Sequence, residues 1–225
     1  MEYILDFSSP TNQQFVQVFE QVVKVMLDAQ NAENHEALKM IERFRLHELA
    51  WSRALDVLQM SKDPSTRFIA AKVLEKIVQE KWKVLAPEYQ ARVKGHTQRM
   101  LGALIQTPAT YKANKDLIVK LNGIIVAVAK HDWPAKWPTF IQDLVKASAA
   151  NDTVCSNTLE IIKGISEEVF DYSMNNMTSA KIVDLKRQLQ GELRAIYQLC
   201  MSKLATCFDA GGQSTCTACH NGVVV

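Results

Sequence analysis

Residues 216–220 read CTACH, the C-x-x-C-H spacing by which c-type haem is attached. The same thiols, with Cys207 and His220 as further ligands, would on paper make a zinc site. The surrounding sequence favours neither. Haem attachment needs an export or organelle route, and the opening MEYILDFSSPTNQQ has no basic n-region and no small-residue cleavage site. The expectation is no metal and no cofactor, with CTACH inside an irregular tail. Other chemistry is equally scattered. Glu167 and Glu168 are adjacent, so on a helix they point about 100° apart and do not share a substrate atom. His35, His47, His96, His131 and His220 never stand one helical turn from one another. No Gly-rich phosphate loop, H-E-x-x-H or G-x-S-x-G occurs. The chain does not read as an enzyme. Trp51, Trp82, Trp133 and Trp137 offer rings for stacking a ligand, but they fall at the ends of helical patterns and read as core anchors there. Cys155 and Cys200 lie within helical patterns, where a thiol behaves as a small apolar side chain.

The elements that must position these residues are helices. Phe15, Phe19, Val22, Val23 and Met26 follow helical spacing, as do Leu38, Ile41 and Phe44, then Trp51, Leu55 and Leu58. Ile69, Val73 and Ile77 continue the pattern, followed by Tyr89, Val93, Met100, Leu101 and Leu104. Leu117, Leu121, Ile124, Ile125 and Val128 make a sixth stripe, and further stripes start at Phe140, Leu159 and Ile182. Prolines 64, 87, 108, 134 and 138 all fall between stripes, and Asp63, Thr107 and Thr178 stand where N-caps belong. No segment alternates as a strand does. The helices pair over roughly 13–48, 50–82, 88–131 and 138–171, and a ninth opens a fifth pair. Pairs of this length are the unit of helical-hairpin repeats. A closed bundle is the alternative, but short links in series favour a stack. After Cys200 the pattern decays, and FDAGGQSTCTACHNGVVV reads as loop or disorder.

Composition agrees. The 225 residues are 48% apolar and 22% charged, with a mean hydropathy of −0.09. A net charge of +2 argues for neither nucleic acid nor an anionic membrane as a partner. The longest strongly apolar run, Gly123 to Ala129, falls far short of the ~20 residues a membrane span needs. The chain reads as intracellular, with reduced cysteines.

Several segments, taken in order, carry a resemblance. They are AWSRALDVLQ (50–59), STRFIAAKVLEKIVQEKWKVLAP (65–87), DLIVKLNGIIVAVAKHDWPAKWPTFIQDLVKAS (116–148), LEIIKGISEEVFDYS (159–173) and MTSAKIVDLKRQL (177–189). Together, over about residues 15–200, they resemble the importin-β superfamily of nuclear transport receptors, its exportins above all. The resemblance implies an all-α fold, a right-handed α-solenoid of HEAT repeats, with about four and a half antiparallel helix pairs. It implies an N-terminal helix of the first repeat over 1–33, an importin-β N-terminal-like domain over 34–100, the start of an exportin-like domain over 111–200, and a divergent tail over 201–225. It implies Ran in its GTP form as partner, nucleoporins as further partners, and export cargo only where later repeats are present. It implies no direct nucleic acid and no membrane insertion, and shuttling between nucleus and cytoplasm through the pore.

In such arches the second helices of the first pairs line the partner-facing side, here 65–82 and 112–131. Their outward positions are expected to carry Arg67, Lys72, Lys76, Lys115, Lys120 and Asn122, cations and an amide suited to carboxylates and carbonyls of a small GTPase. HDWPAKWPTF (131–140) is read as a structural junction. Trp133, Pro134, Trp137 and Pro138 would wedge between two repeats, with Pro138 in the first turn of the next helix and Asp132 capping the turn. The alternative function is an interaction fragment of a helical-repeat protein without cargo transport of its own. Its ninth helix would leave Leu185, Leu189, Leu193 and Ile196 partly exposed.

Overall fold

The computed structural model describes residues 2–7, 12–170 and 178–209. Every regular element among them is a helix. In chain order these are a 3-10 turn Glu2–Leu5, α1 (Asn12–Leu27), α2 (Asn34–Leu46), α3 (Ala50–Met60), α4 (Pro64–Lys81), a 3-10 turn Trp82–Val84, α5 (Pro87–Leu104), α6 (Pro108–Ala113), α7 (Lys115–Asp132), α8 (Phe140–Ala147), α9 (Asp152–Phe170) and α10 (Ser179–Asp209). None of the described helices is long and apolar enough to cross a membrane.

Local chemistry sets the boundaries. Prolines 64, 87 and 108 each open a helix, where the missing N–H has no partner to lose. Asp63 caps α4, its carboxylate accepting from the Thr66 N–H at 2.7 Å and the Thr66 hydroxyl at 2.6 Å. Thr107 and Thr178 accept in the same way from the N–H of Thr110 (3.2 Å) and of Lys181 (3.4 Å). The three expected caps are therefore in place.

The helices group into two compact units. One comprises the described residues through Leu101 together with Asn114–Ala127; the other comprises Gly102–Ala113 and the described residues from Val128 onward. In the first unit α1 lies against α2, α3 and α4, and α3 lies along α4. Phe15, Phe19 and Phe44 meet there with ring centroids 5.5–6.0 Å apart, all fully buried. Truncating one such buried ring costs ~3–5 kcal/mol, so this cluster is a main source of the unit's stability. In the second unit α8, α9 and α10 pack on one another. Cross-helix bonds reveal the repeat. Arg45 to Glu80 and the Lys81 ammonium to the Leu46 carbonyl both span 35 residues. Lys120 to Glu75 spans 45, and Lys130 to Glu168 spans 38. Each joins a second helix of one pair to the second helix of the next, at the spacing of a helix-pair repeat. The fold is all-α and of the HEAT-repeat type.

Four details depart from expectation. Pro108 opens a separate six-residue helix, α6, ahead of α7. Pro138 lies outside α8, two residues before its first residue, with Thr139 at the N-cap. Helix α10 runs on through Asp209 rather than decaying after Cys200, because no glycine or proline interrupts MSKLATCFD. Leu185, Leu189 and Ile196 are buried, and of the four α10 side chains expected at an unsealed end only Leu193 is exposed. The CTACH stretch lies outside the described residues.

Candidate partner interface on the second helices

All six candidate contact residues fall in the first unit, on α4 and the N-terminal part of α7. The structure sorts them into three groups. Lys72 and Lys76 are exposed, one helical turn apart on one face of α4, because the opposite face carries the buried Ala70, Leu74, Ile77 and Val78. Lys115 is exposed at the first residue of α7. These three ammonium groups are open to a partner.

Lys120 is half-buried and committed. Its ammonium donates to the Glu75 carboxylate at 3.0 Å, from α7 to α4. Gly123 permits this arrangement. A Cβ there would stand 2.1 Å from a Glu75 carboxylate oxygen. Glu75 and Gly123 are the residues that sequence reasoning missed, since nothing in a spacing of 45 residues announces a pair. Arg67 is half-buried too, and its Nε is buried without a hydrogen-bond partner. Burial pulls its guanidinium below the ordinary arginine range. It is a partly desolvated cation near the start of α4 rather than a free surface one.

Asn122 corrects the expectation of an outward position. It is buried, because its neighbours one turn away in either direction, Ile118 and Val126, are buried as well. Helix α7 hides most of its circumference, including Leu117, Leu121, Ile124 and Ile125, so its amide-bearing stripe faces protein.

The tryptophans are all buried at helix ends: Trp51 in the first turn of α3, Trp82 just past α4, Trp133 just past α7 and Trp137 shortly before α8. None offers a ring for ligand stacking. In the second unit Trp133 and Trp137 both face Phe140, with centroids 6.1 and 4.8 Å away. The Trp137 indole N–H donates to Asp143 at 3.2 Å, and the Lys181 ammonium donates to the Trp133 carbonyl at 2.5 Å. The turn between them closes on the Asp132 carbonyl, which accepts from the N–H of Lys136 and of Trp137 at 2.6 and 3.0 Å. Among the described residues no group of three or more His, Cys, Asp or Glu side chains is placed to hold a metal ion.

This is a helical-repeat protein whose open polar groups lie on helix faces, the form of a partner-binding scaffold. The importin-beta N-terminal domain family matches residues 37–102, and the exportin 1-like family matches residues 114–221. The second match reaches past Met201, where the sequence was expected to diverge. Among relatives, Exportin-1 of Schizosaccharomyces pombe is 33% identical over 200 residues, 89% of this chain and 18% of that protein. Exportin-1 of Drosophila melanogaster is 32% identical over 92% of this chain and 19% of its own length. Protein EXPORTIN 1A of Arabidopsis thaliana is 37% identical over 69% of this chain and 14% of its own length. The chain belongs to the exportin-1 family of the importin-β superfamily. It spans less than a fifth of the length of these relatives.

Proposed function

We propose that this chain serves in nuclear export of proteins as the Ran-GTP-binding part of a transport receptor, acting in nucleus and cytoplasm rather than as an enzyme. The observation that carries this reading is the placement of Lys72, Lys76 and Lys115, exposed on second helices inside the stretch that begins with an importin-beta N-terminal domain. Three ammonium groups on neighbouring second helices suit the carboxylates and carbonyls of a small GTPase, steering encounter and fixing register. The Lys120–Glu75 bond contributes by holding α7 against α4, so Lys120 acts as a brace and not a direct contact in this reading. Arg67 and Asn122 likewise support the helices from within. Cargo and nucleoporin binding belong, in this proposal, to the parts of the relatives outside the stretch that this chain matches.

The test is capture of purified Ran by the immobilised chain. GTP-loaded Ran should be retained more than GDP-loaded Ran, and K72E/K76E should weaken capture on the order of tenfold with unchanged helical circular dichroism. Equal retention of both nucleotide forms, or none, removes the role. Loss of helicity in the variant would make the two lysines structural instead.

A further inference from the structure

We infer that the outer stripe of α5 is a second docking surface, for an acidic and extended segment of a partner protein. It lies on a different helix from the lysines of α4 and α7. Arg92, His96 and Arg99 recur at four- and three-residue steps, so they share one stripe of the helix. Both arginines are exposed. Among the described residues no carboxylate lies within ion-pair distance of Arg92, His96 or Arg99. The carboxylate acting on this stripe is Asp56 of α3, and it is committed elsewhere: it sits 3.9 Å from Arg53, with a side chain only 16% exposed. The cationic excess is local. Helix α5 carries Arg92, Lys94 and Arg99 against Glu88, a net of +2, equal to the formal charge of the whole chain.

The stripe is also preorganised. The Arg92 guanidinium lies 5.8 Å from the centroid of Trp51, whose ring lies against Tyr89 at 4.6 Å, tilted by 30°. An aromatic platform under a guanidinium lowers the entropy lost when it binds. Gly95 lies between Arg92 and Arg99, and a Cβ there would meet nothing within 4 Å, so the face is open at that point. Burial, with Arg99 and Arg92 alongside, holds His96 below the ordinary imidazole range.

The geometry selects the ligand. Arg92 and Arg99 are about 10.5 Å apart along the helix axis. In an extended polyproline II segment, with three residues per turn, residues three apart lie on one face and span about 9.3 Å, so carboxylates at positions i and i+3 of such a segment match them. Nucleic acid fits less well, because its affinity comes from neutralising many phosphates and this stripe offers two permanent cations.

The test is fluorescence anisotropy of the intact chain with a labelled peptide bearing Glu at every third position, at low ionic strength. R92E/R99E should weaken binding on the order of tenfold, R92K/R99K should retain most of it, and K72E/K76E should leave it unchanged. Equal weakening by K72E/K76E, or none by R92E/R99E, overturns the proposal. So does tighter binding of a single-stranded oligonucleotide of equal charge, which would assign the stripe to phosphates. Should the double variant lose helicity, R99E decides alone: its side chain is exposed, and a several-fold weakening is required.

Discussion

Gly123 shows how a single missing methyl sets a charge pattern. Because no Cβ intervenes, the Glu75 carboxylate lies against α7 and holds Lys120. Replacing Gly123 by Ala puts a methyl where that carboxylate now sits, and the flexible end of Glu75 is what gives way. Alanine favours the helix by ~1 kcal/mol over glycine, while loss of a partly exposed ion pair costs roughly 0.2–1 kcal/mol. The two nearly cancel. G123A should therefore unfold in urea within about 1 kcal/mol of the parent, while Lys120 becomes faster to acylate in a timed labelling experiment read by mass spectrometry. Unchanged Lys120 labelling would show that the pair survives. The sequence gives no warning of this, since Glu75 and Lys120 stand 45 residues apart. The exposure of Lys72 and Lys76, by contrast, was legible from the apolar spacing on the opposite side of the same helix.

At the scale of elements, the W-P-x-x-W-P box is the most consequential junction. Trp133 and Trp137 are buried and converge on the fully buried Phe140, closing the passage from α7 to α8. We propose that this cluster fixes the angle at which α8 leaves. Removing both indoles, W133A/W137A, should lower the melting temperature strongly, since each buried aromatic truncation costs ~3–5 kcal/mol. The milder D143N removes the charge that accepts from Trp137 Nε1 and should cost only about 1 kcal/mol. A double variant that melts with the parent would refute the junction role. The helix starts were readable because Asp63, Thr107 and Thr178 cap by local bonds alone. Pro138 was misplaced by two residues because the turn is closed by Asp132, Lys136 and Trp137 through backbone bonds that no side-chain pattern encodes.

For the whole molecule, the outer side of α10 bears Leu193, Tyr197 and Met201, exposed at four-residue steps. Apolar side chains aligned in this way favour association. Light scattering of the purified chain should show apparent mass rising with concentration, and L193S/Y197S/M201S should abolish the rise; a concentration-independent mass in the parent would sink the idea. The sequence by itself determined that the described chain is helical, that its helices pair at a repeat near 35–45 residues, and to which family it belongs. Those properties rest on periodicity, caps and local motifs, which act between residues a few positions apart. Only the tertiary structure decided that Asn122 is buried, that Lys120 is held by Glu75, that Leu185, Leu189 and Ile196 are covered while Leu193 is not, and that Arg92 rests on Trp51. Each depends on which helix lies alongside, and that is set by packing between residues far apart in the chain.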